Sequence, residues 1–172
     1  MLIKMPLKNA EDKWVILDSR GYDLLVKLNM VRFGEDKIFR LHSAGYAVYQ
    51  KWENDKCETI YLHKFIANHF IPKPDINKRL FVWVKNGNKL DCRVENLEWV
   101  TMGMLRRQMK STKTKTGFRG VTFDKGKYRS IINVDGKRIN LGTFKTAKEA
   151  AQAYNQKSKE LFGDTKSLNE ID

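Results

Sequence analysis

Between Met102 and Arg119 the chain reads MGMLRRQMKSTKTKTGFR, holding Arg106, Arg107, Lys110, Lys113, Lys115 and Arg119 and no acid. Cations spaced this way can each meet a phosphate of a nucleic-acid backbone; a solvated tether is the plainer alternative. Lys127, Arg129 and Arg138 follow, and Asn140 adds an amide. The formal net charge is +13, and it is uneven. Residues 1–101 carry 17 Lys+Arg against 13 Asp+Glu, and residues 102–172 carry 16 against 7. The excess lies in the C-terminal part, which is the electrostatic footprint of a polyanionic partner. Side chains suited to acid–base or metal chemistry are fewer. His63 and His69 sit in LHKFIANHF, where packed helix histidines are the plain expectation. Cys57 and Cys92 form no CxxC and cannot build a four-cysteine zinc site, so they read as unpaired thiols in a reducing compartment.

The basic residues need a scaffold, and Gly117 to Asn169 supplies one. Phe118 to Phe123 and Lys127 to Val134 alternate in polarity and are bounded by turn residues. Asp135-Gly136 between two such runs is a strong hairpin signal, so Arg138 to Phe144 is predicted as a third strand. Thr146 with Glu149 three residues on is a capping box that opens a helix. Ala147, Ala150, Ala151, Tyr154, Ser158 and Leu161 share one face of it, and Gly163 stops it. Small alanines let the helix lie close on a three-stranded sheet. The opposite sheet face is then open and is expected to carry Arg119, Lys127, Arg129 and Arg138.

The segments RGV, GKY, DGKRINLGTF and TAKEAAQAYN, with a final Gly and Leu-Asn, resemble the plant ethylene-response-factor (Apetala-type) DNA-binding domain and its phage and bacterial relatives. The resemblance covers about fifty residues. It implies that the sheet enters the major groove, with Arg119 and Arg138 where the family places arginines on bases or phosphates. Thr122, Asp124, Asn133 and Asn140 stand where the plant proteins have arginine or tryptophan, so the plant sequence preference does not carry over. A small stabilising module with merely solvated cations is the competing view.

Upstream, residues 1–60 read as irregular and mostly β. Trp14 to Leu17 is a short strand. Arg20 to Met30 is a helix or turn that places Tyr22, Leu25 and Leu28 inward. Tyr46–Trp52 forms a hairpin with Cys57–Tyr61. Trp14, Tyr46 and Trp52 are expected in the core rather than stacked on bases. YLHKFIANHF is predicted as a helix with Leu62, Phe65, Ile66 and His69 on one face, ended by the two prolines of IPKPDINK. Phe81 to Val84 is a strand, Asn86-Gly87 a tight turn, Asp91 to Leu97 a short helix, and Trp99-Val100 a return strand.

LHKFIANHFIP followed by VWVKNGNKLDCRVENLEWVT resembles HNH homing endonucleases of phages, particularly those with an attached ethylene-response-type domain. The likeness spans about residues 44–105. It implies a ββα-metal finger with an Asp-His pair, whose aspartate holds one divalent cation together with an asparagine or histidine on a later helix. The histidine would activate water against a scissile phosphate. In this chain the pair falls on Trp83 and Val84, and the later position near Leu105. An indole, an isopropyl and an isobutyl group cannot hold magnesium, which wants oxygen ligands. His63 is the one retained catalytic candidate, conceivably rescued by Asp91 or Asn86. Asn88 and Asn96 are expected to tie the finger loop together. Trp83 is expected in the core, with a stacking platform or wedge for nucleic acid as the alternative.

The expected class is α+β: a degenerate finger domain with an N-terminal β-hairpin region (1–101), a basic linker (102–116), and a three-stranded antiparallel sheet packed on one helix (117–172). Tail residues Asn169 to Asp172 give no signal. The expected function is binding of double-stranded DNA by a retired nuclease, without a resident cofactor or metal. Alternatives are a magnesium-dependent nicking or homing endonuclease with displaced catalytic residues, an RNA-binding component, and an inhibitor of an acidic host protein. No apolar run approaches a membrane span and the N-terminus lacks a signal-peptide core, so a soluble, cytoplasmic protein without a membrane partner is expected, in a bacterial host if the phage resemblance holds.

Overall fold

Polarity alternates along the first hairpin, and that alternation builds the first core. We describe a computed structural model over residues 1–31, 38–108 and 114–171. The chain divides into two units, Met1–Val100 and Thr101–Asp172. In the first, β1 (Leu2–Leu7) pairs antiparallel with β2 (Ala10–Asp18), Met5 opposite Val15 and Ile3 opposite Leu17. Met5, Leu7, Val15 and Leu17 turn into the core, while Trp14 faces outward, 47% exposed. Asp18 ends β2 and caps α1 (Ser19–Lys27), its Oδ1 accepting from the Gly21 amide at 2.9 Å. Leu25 is buried and Tyr22 packs on the core. Leu28 is exposed, contrary to the helical spacing, because the helix has ended and Asn29 takes a positive φ of 54°.

β3 (Arg40–Leu41), β4 (Ala47–Glu53) and β5 (Lys56–Tyr61) form an antiparallel sheet. Asn54 and Asp55 turn the hairpin with φ of 48° and 58°. Trp52 lies near its tip and is 70% exposed, so neither it nor Trp14 is the core residue the sequence suggested. The hairpin extends past the core, and only its base, at Ala47 and Val48, is buried. α2 (Leu62–Phe70) buries Leu62, His63, Ile66 and Ala67. His69 is exposed rather than inward, with its Nδ1 2.8 Å from the Phe65 carbonyl oxygen.

β6 (Leu80–Val84) hydrogen-bonds to β7 (Leu97–Thr101). The predicted helix over 91–97 is only a 3-10 turn, Val94–Asn96, because Asp91 and Asn96 bind loop groups that a helix would otherwise satisfy internally.

In the second unit α3 (Met102–Arg107) precedes β8 (Val121–Asp124), β9 (Lys127–Val134) and β10 (Lys137–Phe144). These strands form an antiparallel sheet of order β10-β9-β8. The first strand starts at Val121, not Phe118, since Gly120 takes a φ of 75° and turns the chain. Asp135 and Gly136, both at positive φ, close the second hairpin. α4 (Ala147–Phe162) begins with both halves of the Thr146–Glu149 capping box. Ala150, Ala151, Tyr154 and Ser158 are buried beneath it, whereas Leu161 is 41% exposed. Phe162, four residues beyond Ser158, continues the inward stripe instead. Small antiparallel sheets and, among the described residues, four α-helices make the chain α+β. Among the described residues no helix is long and apolar enough to cross a membrane.

Candidate functional site

β9 sorts its side chains between two environments. Ser130 and Ile132 are fully buried on the side of α4, so Lys127, Arg129, Ile131 and Asn133 project from the other side. The register extends this open face across the sheet. Asp124 stands opposite Lys127, Thr122 and Thr143 flank Arg129, Asn140 faces Ile131, and Arg138 faces Asn133. A bulge between Asn140 and Gly142 keeps Asn140 and Thr143 on the same face. Asn140 Oδ1 accepts the Gly142 amide at 3.2 Å, which steadies that bulge. Lys127, Arg138, Asn140 and Asn133 are all exposed. Arg129 is exposed but tied to Asp124 at 3.0 Å.

The remaining basic positions divide. Arg119 lies half-buried in the turn before β8 rather than on a strand. Its backbone N–H donates to Asn169 Oδ1 at 2.6 Å, its carbonyl accepts from Asn169 Nδ2 at 3.1 Å, and its guanidinium reaches the Arg106 carbonyl at 3.5 Å. Arg106 and Lys115 are exposed. Arg107 is not a surface cation. It is 8% exposed, donates to the Asn133 carbonyl at 2.8 Å and lies 3.6 Å over the Phe162 ring. Burial lowers its pKa, the mark of a charge serving the fold. Sequence reasoning took it for a phosphate ligand because a cation in a basic run carries no local sign of burial. Lys110 and Lys113 lie outside the described residues.

In the first unit the loop after β6 is held by a network of amides and one carboxylate. Asn96 Oδ1 accepts from the Asn86 amide at 3.0 Å, and its Nδ2 donates to the Asn86 side chain and to the Asp91 carbonyl. Asn88 Oδ1 accepts from the Leu90 amide at 3.1 Å. Asp91, 2% exposed, receives Arg93 Nε at 2.9 Å, an Arg93 guanidinium nitrogen at 2.7 Å and Asn86 Nδ2 at 2.8 Å. Burial pushes the Asp91 carboxyl up, but the hydrogen bonds from Arg93 and Asn86 outweigh it and hold it below its ordinary value. Asp18 joins in from β2, its Oδ2 accepting from the Val94 amide at 3.0 Å.

That network leaves little for a metal. Val84 points into the core, and Trp83 lies half-buried on the opposite strand face with Phe81. Trp83 is therefore not the core residue expected. Leu105 is half-buried in α3. None of the three offers an oxygen, and both oxygens of Asp91 are already engaged. Among the described residues no three His, Cys, Asp or Glu side chains come together around a possible ion. His63 is 3% exposed, stacked on Tyr46 at 4.2 Å between ring centroids, with Tyr61 edge-on at 5.9 Å. Burial, assisted by the Lys64 charge, pulls its pKa down to about 4. Its Nδ1 is buried without a hydrogen-bond partner among the described residues. The side chains of Trp83, Val84 and Leu105 do not fit a divalent cation.

Over 100 residues the chain is similar to an HNH endonuclease. That relative, an uncharacterized protein of Acanthamoeba polyphaga mimivirus, is 35% identical over a stretch that takes in 55% of this chain and 25% of its own. The chain thus spans about a quarter of the relative's length. A structure of DNA binding and cleavage by the HNH homing endonuclease I-HmuI is also similar, at 20% identity and a TM-score of 0.36, covering 74% of this chain and 68% of that one. No family model matches the chain.

Three groups escaped the sequence reading. Asn133 and Thr122 entered it only as departures from a pattern, though alternation from Lys127 would have put Asn133 on the open face. Asn169, dismissed with the tail, holds Arg119 at both backbone groups and pairs with Asn155 through bonds of 2.8 Å each way. Asp18 caps α1 and also accepts from Val94, a bond that spans 76 residues and has no local signal.

Proposed function

We propose that the protein binds duplex DNA through the open face of its second-unit sheet, and that its finger no longer cleaves. The observation that carries this is the sheet itself. One face is covered by α4, and the other leaves Lys127, Arg138, Asn133 and Asn140 free toward solvent in a charge excess of 16 cations over 7 acids. A two-stranded β-ribbon, such as β9 with β10, fits the major groove, and cations beside it meet phosphates. The segment's resemblance to the ethylene-response-factor domain, and the fusion order known for phage homing endonucleases, support the same assignment and a mobile-element ancestry.

Loss of cleavage rests on Trp83 and Leu105 at the positions that hold the metal in HNH enzymes, on Val84 at the general-base position, and on the commitment of Asp91 to Arg93 and Asn86. A finger in this state keeps its asparagine-stapled loop and can still contribute to binding. Two modest binders on one chain raise affinity through effective concentration. The protein works without a resident metal under this reading.

Two assays on the full chain test it. Gel-shift binding to duplex DNA is expected to weaken steeply with salt. With roughly five phosphate contacts the loss is roughly 500-fold between about 50 and about 200 mM salt. A supercoiled plasmid with magnesium or manganese is expected to stay intact. A nick abolished by EDTA overturns the catalytic half of the proposal. Structured RNA displacing the duplex at equal concentration overturns the other half. The informative variant is Trp83→Asp with Val84→His and Leu105→Asn, which restores the missing donors.

A further inference from the structure

The open sheet face is a graded surface, and the side chains on it are not the ones a guanine-reading arginine array would have. It forms four successive rows: Arg138 with Asn133, Asn140 with Ile131, Thr143 with Arg129 and Thr122, then Lys127 with Asp124. Residues two apart on a strand are separated by about 6.8 Å, so each row advances about two base steps along a duplex. Of the two strand arginines on this face, Arg129 is already engaged by Asp124 at 3.0 Å. That pair takes one arginine out of free base recognition. Arg138 is exposed, next to an exposed asparagine amide across the strand pair.

We propose that Asn133 makes this sheet select adenine, with Asn140 a supporting donor beside it. The inference rests on the assignment of the sheet to duplex DNA. In the major groove an asparagine side chain accepts from adenine N6 through its carbonyl oxygen and donates to adenine N7 through its amino group, and no other base offers that donor–acceptor pair in the same arrangement. Asn133 is exposed, and its backbone carbonyl, not its side chain, is what the fold uses, as the acceptor for Arg107. That bond anchors the backbone at Asn133, while the side chain stays exposed. Asn140 is fixed in a second way. Its Oδ1 accepts the Gly142 amide across the bulge at 3.2 Å, which occupies that oxygen and leaves the amino group of this exposed residue as the donor. Between them Ile131 presents an apolar side chain in the Asn140 row, suited to the methyl group of the thymine paired with adenine. Arg138, free beside Asn133, reads guanine at the neighbouring position. The preferred site thus contains a guanine next to an adenine, followed about two steps on by an A·T pair.

The test is selection of duplexes from a random library by the full chain, followed by competition binding of the selected site against single-base variants. Wild type is expected to enrich one adenine, with each wrong base at that position costing about 5- to 150-fold in affinity. Asn133→Ala is expected to flatten the preference at that single position and leave the others, while the thermal transition stays unchanged because the side chain is exposed and makes no hydrogen bond among the described residues. Asn133→Asp is expected to shift the same position toward cytosine, whose amino group a carboxylate accepts. A preference that persists unchanged in Asn133→Ala overturns the inference, as does enrichment of A-rich runs without a single defined position. No binding to any duplex overturns the assignment of the sheet to DNA as well, and so the two failures are told apart.

Discussion

Gly120 offers a quantitative test of how the sheet is anchored to its helix. It sits at the turn into β8 with a φ of 75°. A Cβ there would overlap the Tyr154 ring and lie 2.7 Å from the Ile131 carbonyl oxygen. Tyr154 is 3% exposed, and the Gly120 carbonyl accepts the Ile131 amide at 2.8 Å, so neither neighbour can withdraw without cost. Gly126, in the following turn, has nearly the same φ of 77°, but nothing lies within 4 Å of a Cβ placed there. The two alanine substitutions share the backbone penalty of about 1–2 kcal/mol for a left-handed residue. Only Gly120→Ala adds the penalty for forcing a group into filled space, about 1–3 kcal/mol. Gly120→Ala is therefore expected to cost about 2–5 kcal/mol and Gly126→Ala about 1–2. Urea unfolding followed by far-ultraviolet circular dichroism gives both numbers. All four tryptophans lie in residues 1–100, so tryptophan emission reports the first unit and serves as an internal control. It should not move. Faster hydrogen exchange at the Ile131 amide should accompany the loss in Gly120→Ala alone. Equal destabilisation by the two substitutions would refute the close approach of Tyr154 to the turn.

His63 and Arg107 give two further tests. The folded pKa of His63 lies at about 4, below the unfolded 6.5, so the unfolded chain binds the proton more readily. Its contribution is intact above pH about 6.5 and is lost as pH falls toward 4, by about 3 kcal/mol at the acid end. Tryptophan-monitored unfolding across that window should show the decline, and His63→Phe should flatten it. Removing Arg107 takes away a charged hydrogen bond to the Asn133 carbonyl and the contact with Phe162. Arg107→Ala is expected to destabilise the second unit by about 2 kcal/mol, with only partial recovery in Arg107→Lys. If Arg107 served a phosphate, as its place in a basic run suggests, stability would stay constant and the salt slope of binding would fall.

The sequence carried much of the architecture because several of its signals are local. Asp135-Gly136 fixed a hairpin through two positive φ angles, and Thr146 with Glu149 fixed a helix start by exchanging two bonds over three residues. Alternation along Lys127 to Val134 determined which side chains oppose α4. That Trp83, Val84 and Leu105 carry no side-chain oxygen was equally legible, since ligand chemistry is a property of residue type. Burial was not. Trp14 and Trp52 are apolar enough for a core, yet their strands run beyond it, and only the assembled sheet shows how far each strand is covered. Arg107 differs from Arg106 by one residue in a helix, and that rotation of about 100° carries it from solvent onto Phe162. Asn169 and Asp18 act over separations of 50 and 76 residues, where no pattern in the chain connects donor to acceptor. What the sequence determined was therefore the chemistry of each side chain and the local turns. The tertiary structure decided which of the cations remain free, because freedom depends on what distant segments place against them.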